Sequence, residues 1–140
     1  MSLPKSNLQK IINVTCAIIV SQNKKILVTQ RSASMSLPLK WEFPGGKIEK
    51  EESPEQTIVR EIKEELHVEI SINNKQPSVT HHYENFSIIL NPFICKIEYG
   101  EIKLSEHQAF RWLNPNKLLD LDWAEADIPV AQYYLQTLNK

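Results

Sequence analysis

Three glutamates in the middle of the chain have the spacing that could bind a divalent metal ion. On a helix, Glu61, Glu64 and Glu65 would fall within an arc of about 100°. The residues from 47 to 65 include seven acids and four bases, so lysines do not neutralise the cluster. On a helix face that is only exposed to solvent, the like-charged Glu61–Glu65 pair would be slightly destabilising. Mg²⁺ or Mn²⁺, by contrast, requires such hard oxygen ligands. The pattern therefore predicts a metal site on one face of a helix.

A glycine pair precedes these acids in a chain that has only three glycines. The stretch "WEFPGGKIEKEE", residues 41–52, places Gly45 and Gly46 directly after a proline. Such a pair predicts a sharp backbone turn, because glycine adopts conformations that are closed to other residues. By itself the pair indicates nothing more than a loop, which would expose backbone oxygens and amides one or two turns before the glutamates.

A helix that begins just after Glu52 must carry the glutamates. Ser53 and Gln56 form the pattern of a capping box, and Pro54 occupies the first helical position. Apolar residues that recur every four positions predict the buried stripe of this helix. The stripe consists of Ile58, Ile62 and Leu66, joined by Val59.

Extended runs on both sides of this helix predict a sheet. Strands are predicted at 11–20, 24–31, 41–43, 68–72, 78–99 and 108–114. The first two are expected to form a hairpin, and Pro92 suggests an edge or a bulge in the fifth. A helical turn is predicted at 115–120 and a terminal helix at 127–138, with Asp127 as its N-cap. This order predicts one α/β or α+β domain around a mixed sheet.

The composition limits the classes of function. The chain has 140 residues, 41% of them hydrophobic, and a formal net charge of −1. This near-neutral balance argues against a nucleic-acid polymer or a membrane surface as partner, and no apolar run approaches the roughly 20 residues of a membrane span. Cys16 and Cys95 lie in apolar strand-like runs, which predicts buried free thiols in a reducing, cytoplasmic setting. The polar N-terminus lacks the apolar core of a signal peptide.

The residues from 46 to 68 resemble the Nudix box of the Nudix hydrolases, G-x5-E-x7-R-E-U-x-E-E-x-G-U, where U is aliphatic. Every fixed position matches except the second glycine, which is His67 here. "WEFPGGKIE" and "EHQAFRWLNPNKLL" are similar to MutT-like and CTP-pyrophosphohydrolase-like members, so the resemblance covers about residues 10–138. Glycine at this position would end the helix in a left-handed conformation. We expect His67 to adopt the same positive φ, at a cost of roughly 1 kcal/mol.

The resemblance implies a fold and an activity. The expected fold is an α/β/α sandwich with a central mixed β-sheet, formed by a single domain over residues 1–140. The expected reaction is Mg²⁺- or Mn²⁺-dependent hydrolysis of a nucleoside triphosphate to a monophosphate and pyrophosphate, with 8-oxo-dGTP as the first substrate. CTP, 5-methyl-dCTP or another nucleoside diphosphate derivative is the alternative. A module that only recognises a nucleotide is a third reading, which the complete set of box residues disfavours.

The resemblance also assigns roles at the metal end of the site. The implied ligands are the Gly45 carbonyl, Glu61, Glu64, Glu65 and Glu106. Glu61 is a candidate base for the attacking water as well. Arg60 would orient a neighbouring glutamate through a fork-like pair, and Glu52 would support the cluster from the loop.

Further residues are implied at the substrate end. Arg31 would contact a phosphate, and Phe43 would help to line the base pocket. Asp127 matches a base-reading position, although it could serve only as a helix cap. Trp123 could stack on the base or pack in the core. His107, next to Glu106, is predicted to be an exposed loop residue.

Overall fold

The computed structural model describes residues 10–139, so the polar N-terminal segment before Lys10 lies outside the described residues. The strands are β1 (Lys10–Ile19), β2 (Ile26–Gln30), β3 (Trp41–Glu42), β4 (Gly45–Lys47), β5 (Glu69–Lys75), β6 (Val79–His82), β7 (Phe86–Tyr99) and β8 (Ala109–Leu113). The α-helices are α1 (Pro54–Leu66) and α2 (Ile128–Thr137). Short 3₁₀ helices cover Pro115–Asp120 and Glu125–Asp127.

The strands form two sheets between the helices. The larger sheet is mixed, with the order β4-β1-β7-β5, and β6 also pairs with β7. Only the β1–β7 pairing in it is parallel. The smaller sheet is antiparallel, with the order β3-β2-β8. The predicted α/β sandwich with a mixed sheet is therefore confirmed, and the second sheet is an addition to it.

The predicted hairpin between the first two strands is wrong. They pair only through the Val20–Ile26 bridge and then enter separate sheets. The reason is that both edges of β1 are taken, since Val14 faces Lys47 of β4 on one side and Leu90 of β7 on the other. No edge of β1 is left for β2.

Each helix covers one side of β1, which is buried on both faces. Alternate residues of this strand point to opposite sides, as the pleat requires. Ala17 and Ile19 join the cluster beneath α1, and Cys16 and Ile18 join the cluster beneath α2. The stripe Ile58, Ile62 and Leu66 is fully buried as predicted. Val59 was wrongly included, because it is 39% exposed, whereas Thr57 is buried beside the stripe.

Pro92 lies inside β7, where an edge or a bulge was predicted, and of these two the edge strand is wrong. β7 has β1 on one side throughout, and on its other side β6 and β5 pair with successive segments. Their pairing stops at Leu90 and resumes at Phe93. Pro92 falls in this gap, where its missing N–H breaks no antiparallel pair.

The two cysteines are placed as predicted. Cys16 and Cys95 are free and buried, and burial raises the pKa of both thiols, that of Cys95 to about 12. In the part of the chain that the structure describes, no helix has the length and apolar character needed to cross a membrane.

Candidate active site

The start of α1 is fixed by local hydrogen bonds. Ser53 Oγ accepts from the Gln56 amide at 3.1 Å, and Gln56 Oε1 accepts from the Ser53 amide at 2.9 Å. This is the predicted capping box, with Pro54 at the first position. With the apolar stripe in the core, Glu61 and Glu65 lie against Gly46 and Gly45 of β4.

Arg60 holds three carboxylates of the Nudix-like segment together. Its Nε lies 2.7 Å from Glu52 Oε2 and its Nη2 lies 3.0 Å from Oε1, which is the expected fork. Its Nη1 lies 2.9 Å from Glu61 and 3.1 Å from Glu64. The Arg60 guanidinium and the Thr57 hydroxyl lower the pKa of Glu52 to about 2. Glu52 is thus a firmly ionised anchor for the arginine.

The glycine pair does not form the predicted turn. Gly45 and Gly46 belong to β4 and pair with Cys16 and Thr15, and neither has a positive φ. A Cβ on Gly45 would lie 2.0 Å from the Thr15 carbonyl oxygen, and a Cβ on Gly46 would lie 2.3 Å from the Glu61 carboxyl carbon. Gly45 requires glycine because it lies against the backbone of β1, whereas a Cβ at Gly46 would require the Glu61 side chain to move.

Glu65 is the most buried carboxylate of the cluster. Its Oε1 accepts a hydrogen bond from the Gly45 amide at 3.1 Å. Burial, followed by the charges of Glu42 and Glu61, raises the pKa of Glu65 to about 9, and Glu106 adds to the effect. Burial also raises the pKa of Glu61, although Arg60 opposes that shift. The cluster around Glu61 and Glu65 therefore carries more negative charge than the Arg60 guanidinium neutralises.

The donor chemistry of this cluster fits a divalent metal ion. Hard carboxylate oxygens with raised pKa values gain most from a cation, and the space above Gly46 is free of a Cβ. Across residues 10–139, no three His, Cys, Asp or Glu side chains are already grouped as a metal site. Glu61 and Glu64 are turned towards Arg60, and Glu65 towards the Gly45 amide. Binding would need these side chains to reorient.

A cleft of about 470 Å³ extends from this cluster across the large sheet. Its lining includes Glu65 and the two glycines, and also Phe43 and Asp127. The volume falls within the range of small-molecule sites. Of the residues predicted to bind metal, Gly45 and Glu65 line this cavity, and it also contains the predicted substrate-binding residues Arg31, Phe43 and Asp127.

Asp127 occupies the N-cap position of α2, but its side chain does not cap the helix. Its Oδ2 instead accepts from the Phe43 amide at 2.9 Å, 84 positions away in the chain. The residue is 6% exposed. Burial and the charge of Glu42 raise the pKa of Asp127 well above its usual value. The capping role is therefore wrong for the side chain, which faces the cleft.

Glu42 joins two residues that the sequence did not connect. Its Oε1 lies 2.9 Å from Arg31 Nη1, and its Oε2 lies 2.8 Å from His107 Nε2. Arg31 also donates from Nε to the Ser36 carbonyl at 2.6 Å. The predicted exposure of His107 is wrong, since its side chain is 1% exposed. Glu42 was missed, and its position beside Phe43 in "WEFPGG" was the only available signal.

Aromatic residues form the far wall of the cleft. Tyr83 and Phe86 stack with ring centroids 5.1 Å apart and an angle of 27° between planes, and both line the cavity. The sequence analysis missed this pair, although "HHYENF" places two aromatics in a polar turn. Trp123 is a core residue, because it packs on Phe43 at 4.8 Å and its Nε1 donates to the Leu118 carbonyl at 2.7 Å.

The last predicted element of the site is the end of α1. His67 has φ 61° and ψ 30°, so it adopts the expected left-handed conformation. Its amide donates to the Lys63 carbonyl at 3.0 Å. Glu106 lies in the loop that approaches this end and is one of the charges that raise the pKa of Glu65. The structure therefore brings Glu106 near the helix glutamates.

Comparisons with known proteins extend over almost the whole chain. The family profile described as NUDIX domain matches residues 10–134. The CTP pyrophosphohydrolase of Escherichia coli is 36% identical over 126 residues, which cover 90% of this chain and 93% of that protein. The 8-oxo-dGTP diphosphatase of the same organism is 31% identical over 121 residues, covering 86% and 94%.

Solved structures agree with these relatives. The solution structure of the E. coli ORF135 protein is 34% identical, covers 92% of this chain and 91% of that chain, and has a TM-score of 0.79. The MutT structure from methicillin-resistant Staphylococcus aureus 252 is 42% identical, covers 92% and 98%, and has a TM-score of 0.74. The similarity thus includes both sequence and fold.

Proposed function

The chain belongs to the NUDIX domain family, and from this we propose that it is a divalent-metal-dependent nucleoside triphosphate pyrophosphohydrolase. Water would attack the triphosphate and release a nucleoside monophosphate and pyrophosphate. One observation carries the proposal: a single cleft is lined by Glu65 and the glycine pair of the Nudix-like segment and also by Asp127 and aromatic side chains. Such a cleft suits a ligand that is a polyanion at one end and a flat, polar-edged base at the other.

At the metal end, we assign the ion to Glu61, Glu64, Glu65, Glu106 and the Gly45 carbonyl. When bound, Mg²⁺ or Mn²⁺ would neutralise phosphate oxygens and acidify a coordinated water. The chain's own contribution is orientation, because Arg60 gathers Glu61 and Glu64 and is itself fixed by the ionised Glu52. Glu61, with a raised pKa, is the side chain that would accept the proton of the attacking water.

Arg31 would bind the phosphate chain. Arg31 lines the cleft, and its guanidinium is only partly used by Glu42 and Ser36. The side chain is 17% exposed, so it is held in a defined orientation and still reaches the cavity. A planar guanidinium that remains charged at any physiological pH suits a phosphate oxygen pair.

At the base end, the protonation state of Asp127 narrows the choice of base. A raised pKa favours the neutral carboxyl, which offers one hydrogen-bond donor and one acceptor. Cytosine presents a matching pair, the N3 acceptor and the N4 amino donor, and 8-oxoguanine presents O6 and N7–H. On the same edge, unmodified guanine presents two acceptors, O6 and N7, and a neutral carboxyl has only one donor for them. Tyr83 and Phe86 would pack against the face of the base.

Two substrate classes satisfy this pattern. We place 8-oxo-dGTP first for two reasons. The neutral carboxyl of Asp127 would distinguish it from dGTP, and a relative at 31% identity is named for that activity. CTP or 5-methyl-dCTP is the second candidate, favoured by the 36% identity to a CTP pyrophosphohydrolase. Both use the same cleft and the same chemistry at phosphorus.

A pyrophosphate-release assay with Mg²⁺ and with Mn²⁺ tests the proposal. The panel is 8-oxo-dGTP, dGTP, CTP, dCTP and 5-methyl-dCTP, and we expect kcat/KM for one class to exceed that for dGTP at least about tenfold. Glu64→Gln should lower kcat about 100-fold or more, whereas the exposed Glu55→Gln on the same helix should leave it unchanged. Nucleotide binding without turnover would favour a recognition module, and no turnover of any nucleotide would refute the enzyme.

A further inference from the structure

The C-terminal end of α1 has a complete set of hydrogen-bond partners. The last four carbonyls of a helix have no partner within the helix and must find one elsewhere. Here one is bonded by the residue after the helix and three by a loop about 40 positions later. The pairs are His67 N to Lys63 O at 3.0 Å, Ser105 Oγ to Glu64 O at 2.7 Å, Ser105 N to Glu65 O at 3.1 Å, and Lys103 N to Leu66 O at 2.9 Å.

His67 adds a side-chain contact to this arrangement. Its Nε2 lies 3.2 Å from Ser105 Oγ. Because the serine hydroxyl donates its hydrogen to the Glu64 carbonyl, its lone pair accepts from the His67 Nε2–H. A glycine would adopt the same positive φ more readily, but it has no side chain that could reach Ser105. The one departure from the Nudix box thus supplies a bond that the box glycine lacks.

Glu65 is held at both of its ends by this geometry. Its carbonyl accepts from the Ser105 amide, and its carboxylate accepts from the Gly45 amide. Glu106 follows Ser105 directly, so the anchored serine fixes where its neighbour can reach. The bond from the Ser105 amide therefore holds the backbone next to Glu106 against Glu65.

We propose that His67 and Ser105 are positioning residues that hold the 103–106 loop on the end of α1 and keep Glu106 beside Glu65. The inference deepens the proposed function and rests on it, since Glu106 and Glu65 are metal ligands only under that proposal. Neither His67 nor Ser105 touches substrate or metal in this assignment. They act through the carboxylate that they place.

Three variants and one control test the role in the whole protein. Ser105→Ala removes both hydroxyl bonds. His67→Gly removes the ring, and His67→Asn keeps a residue that tolerates positive φ but has a side chain too short to replace Nε2. Ser71→Ala is the matched control. It also removes a serine hydroxyl bond, the one to Glu98 Oε1 at 2.8 Å, but Ser71 lies on β5, away from the 103–106 loop.

Two measurements distinguish the attachment of the 103–106 loop to α1 from its effect on metal binding. In metal-free protein, hydrogen exchange at the Ser105 and Lys103 amides should be about 3–10-fold faster in the two His67 variants, as expected for the loss of one ordinary hydrogen bond. It should be at least as fast in Ser105→Ala, which loses two. In calorimetric titration with Mn²⁺, the Kd should rise by about the same factor. A variant that combines Ser105→Ala with His67→Gly should be no weaker than Ser105→Ala, because both remove the same contact.

The outcomes distinguish this inference from the proposed function. Unchanged exchange at both amides would overturn the loop contact. Faster exchange with wild-type Mn²⁺ affinity would overturn the positioning role while leaving the enzyme intact. If wild-type protein bound no Mn²⁺, the proposed function and the positioning role would both fall. An equal effect of Ser71→Ala would show a general loss of stability and would overturn the role of His67 and Ser105.

Discussion

Glu65→Gln should stabilise the metal-free protein at neutral pH while abolishing metal binding. Folding raises the pKa of Glu65 from 4.5 to about 9, mainly through burial. The stability associated with its neutral form is therefore fully present below pH 4.5 and is lost as pH rises towards 9. Glutamine resembles the neutral carboxyl and can still accept from the Gly45 amide, so its contribution does not change with pH.

The expected change in unfolding free energy follows from the pKa shift of Glu65. At 1.36 kcal/mol per pKa unit, the wild type should lose about 2.5 kcal/mol of unfolding free energy between pH 5 and pH 7 that Glu65→Gln retains. This figure changes little as long as the folded pKa stays above 7, because the loss in this range is governed by the unfolded value. Such a loss is a large fraction of the 5–15 kcal/mol typical of a domain.

Urea unfolding with EDTA at pH 5, 6, 7 and 8 measures this difference. Glu101→Gln, at an exposed position, is the control and should follow the wild type. Parallel pH profiles for the wild type and Glu65→Gln would refute the reasoning, because they would show that burial leaves Glu65 ionised at no cost. Added Mg²⁺ should then stabilise the wild type more at pH 8 than at pH 6, and should not stabilise Glu65→Gln.

Three further predictions concern residues around the cluster. Gly46→Ala should fold but lose about 100-fold in kcat, measured by pyrophosphate release. The reason is that its Cβ would displace the Glu61 carboxyl, whose carbon lies 2.3 Å away. An unchanged kcat would show that the orientation of Glu61 is unimportant. His107→Ala should cost about 1–3 kcal/mol in urea unfolding, because Glu42 loses a buried partner; an unchanged midpoint would contradict this. Glu52→Gln should make the free energy of unfolding fall less steeply in acid. The stability contributed by ionised Glu52 is present above pH 4.5 and is lost as pH falls towards its pKa of about 2. Identical acid unfolding curves for variant and wild type would contradict a stabilising Glu52–Arg60 pair.

Features determined by neighbouring residues could be predicted from the sequence. The capping box of α1 depends on two bonds between Ser53 and Gln56, and the left-handed end depends on His67 and its four preceding residues. The apolar stripe follows from the helical repeat. Each of these rests on contacts within about one or two helical turns, where residue types alone restrict the geometry.

Features determined by distant contacts could not be predicted. His107 reads as a loop residue, yet it is buried because Glu42, 65 positions earlier, faces it. Asp127 reads as a helix cap, yet its carboxyl bonds the Phe43 amide. The glycine pair reads as a turn, because the sequence does not show that Thr15 and Glu61 press on β4 from two sides. In each case the partner becomes visible only after the sheets are assembled.

The double pairing of β1 has a consequence for the order of folding. Its parallel partner is β7, so Ile19 meets Cys95 only after most of the chain has been synthesised. Until then, an apolar strand that is buried on both faces in the native state has an open edge and is vulnerable to aggregation. Long-range parallel pairing also slows folding, because the loop must close before any contact forms. We therefore expect fragments that end before β7 to be insoluble, and refolding of the whole chain to depend on protein concentration.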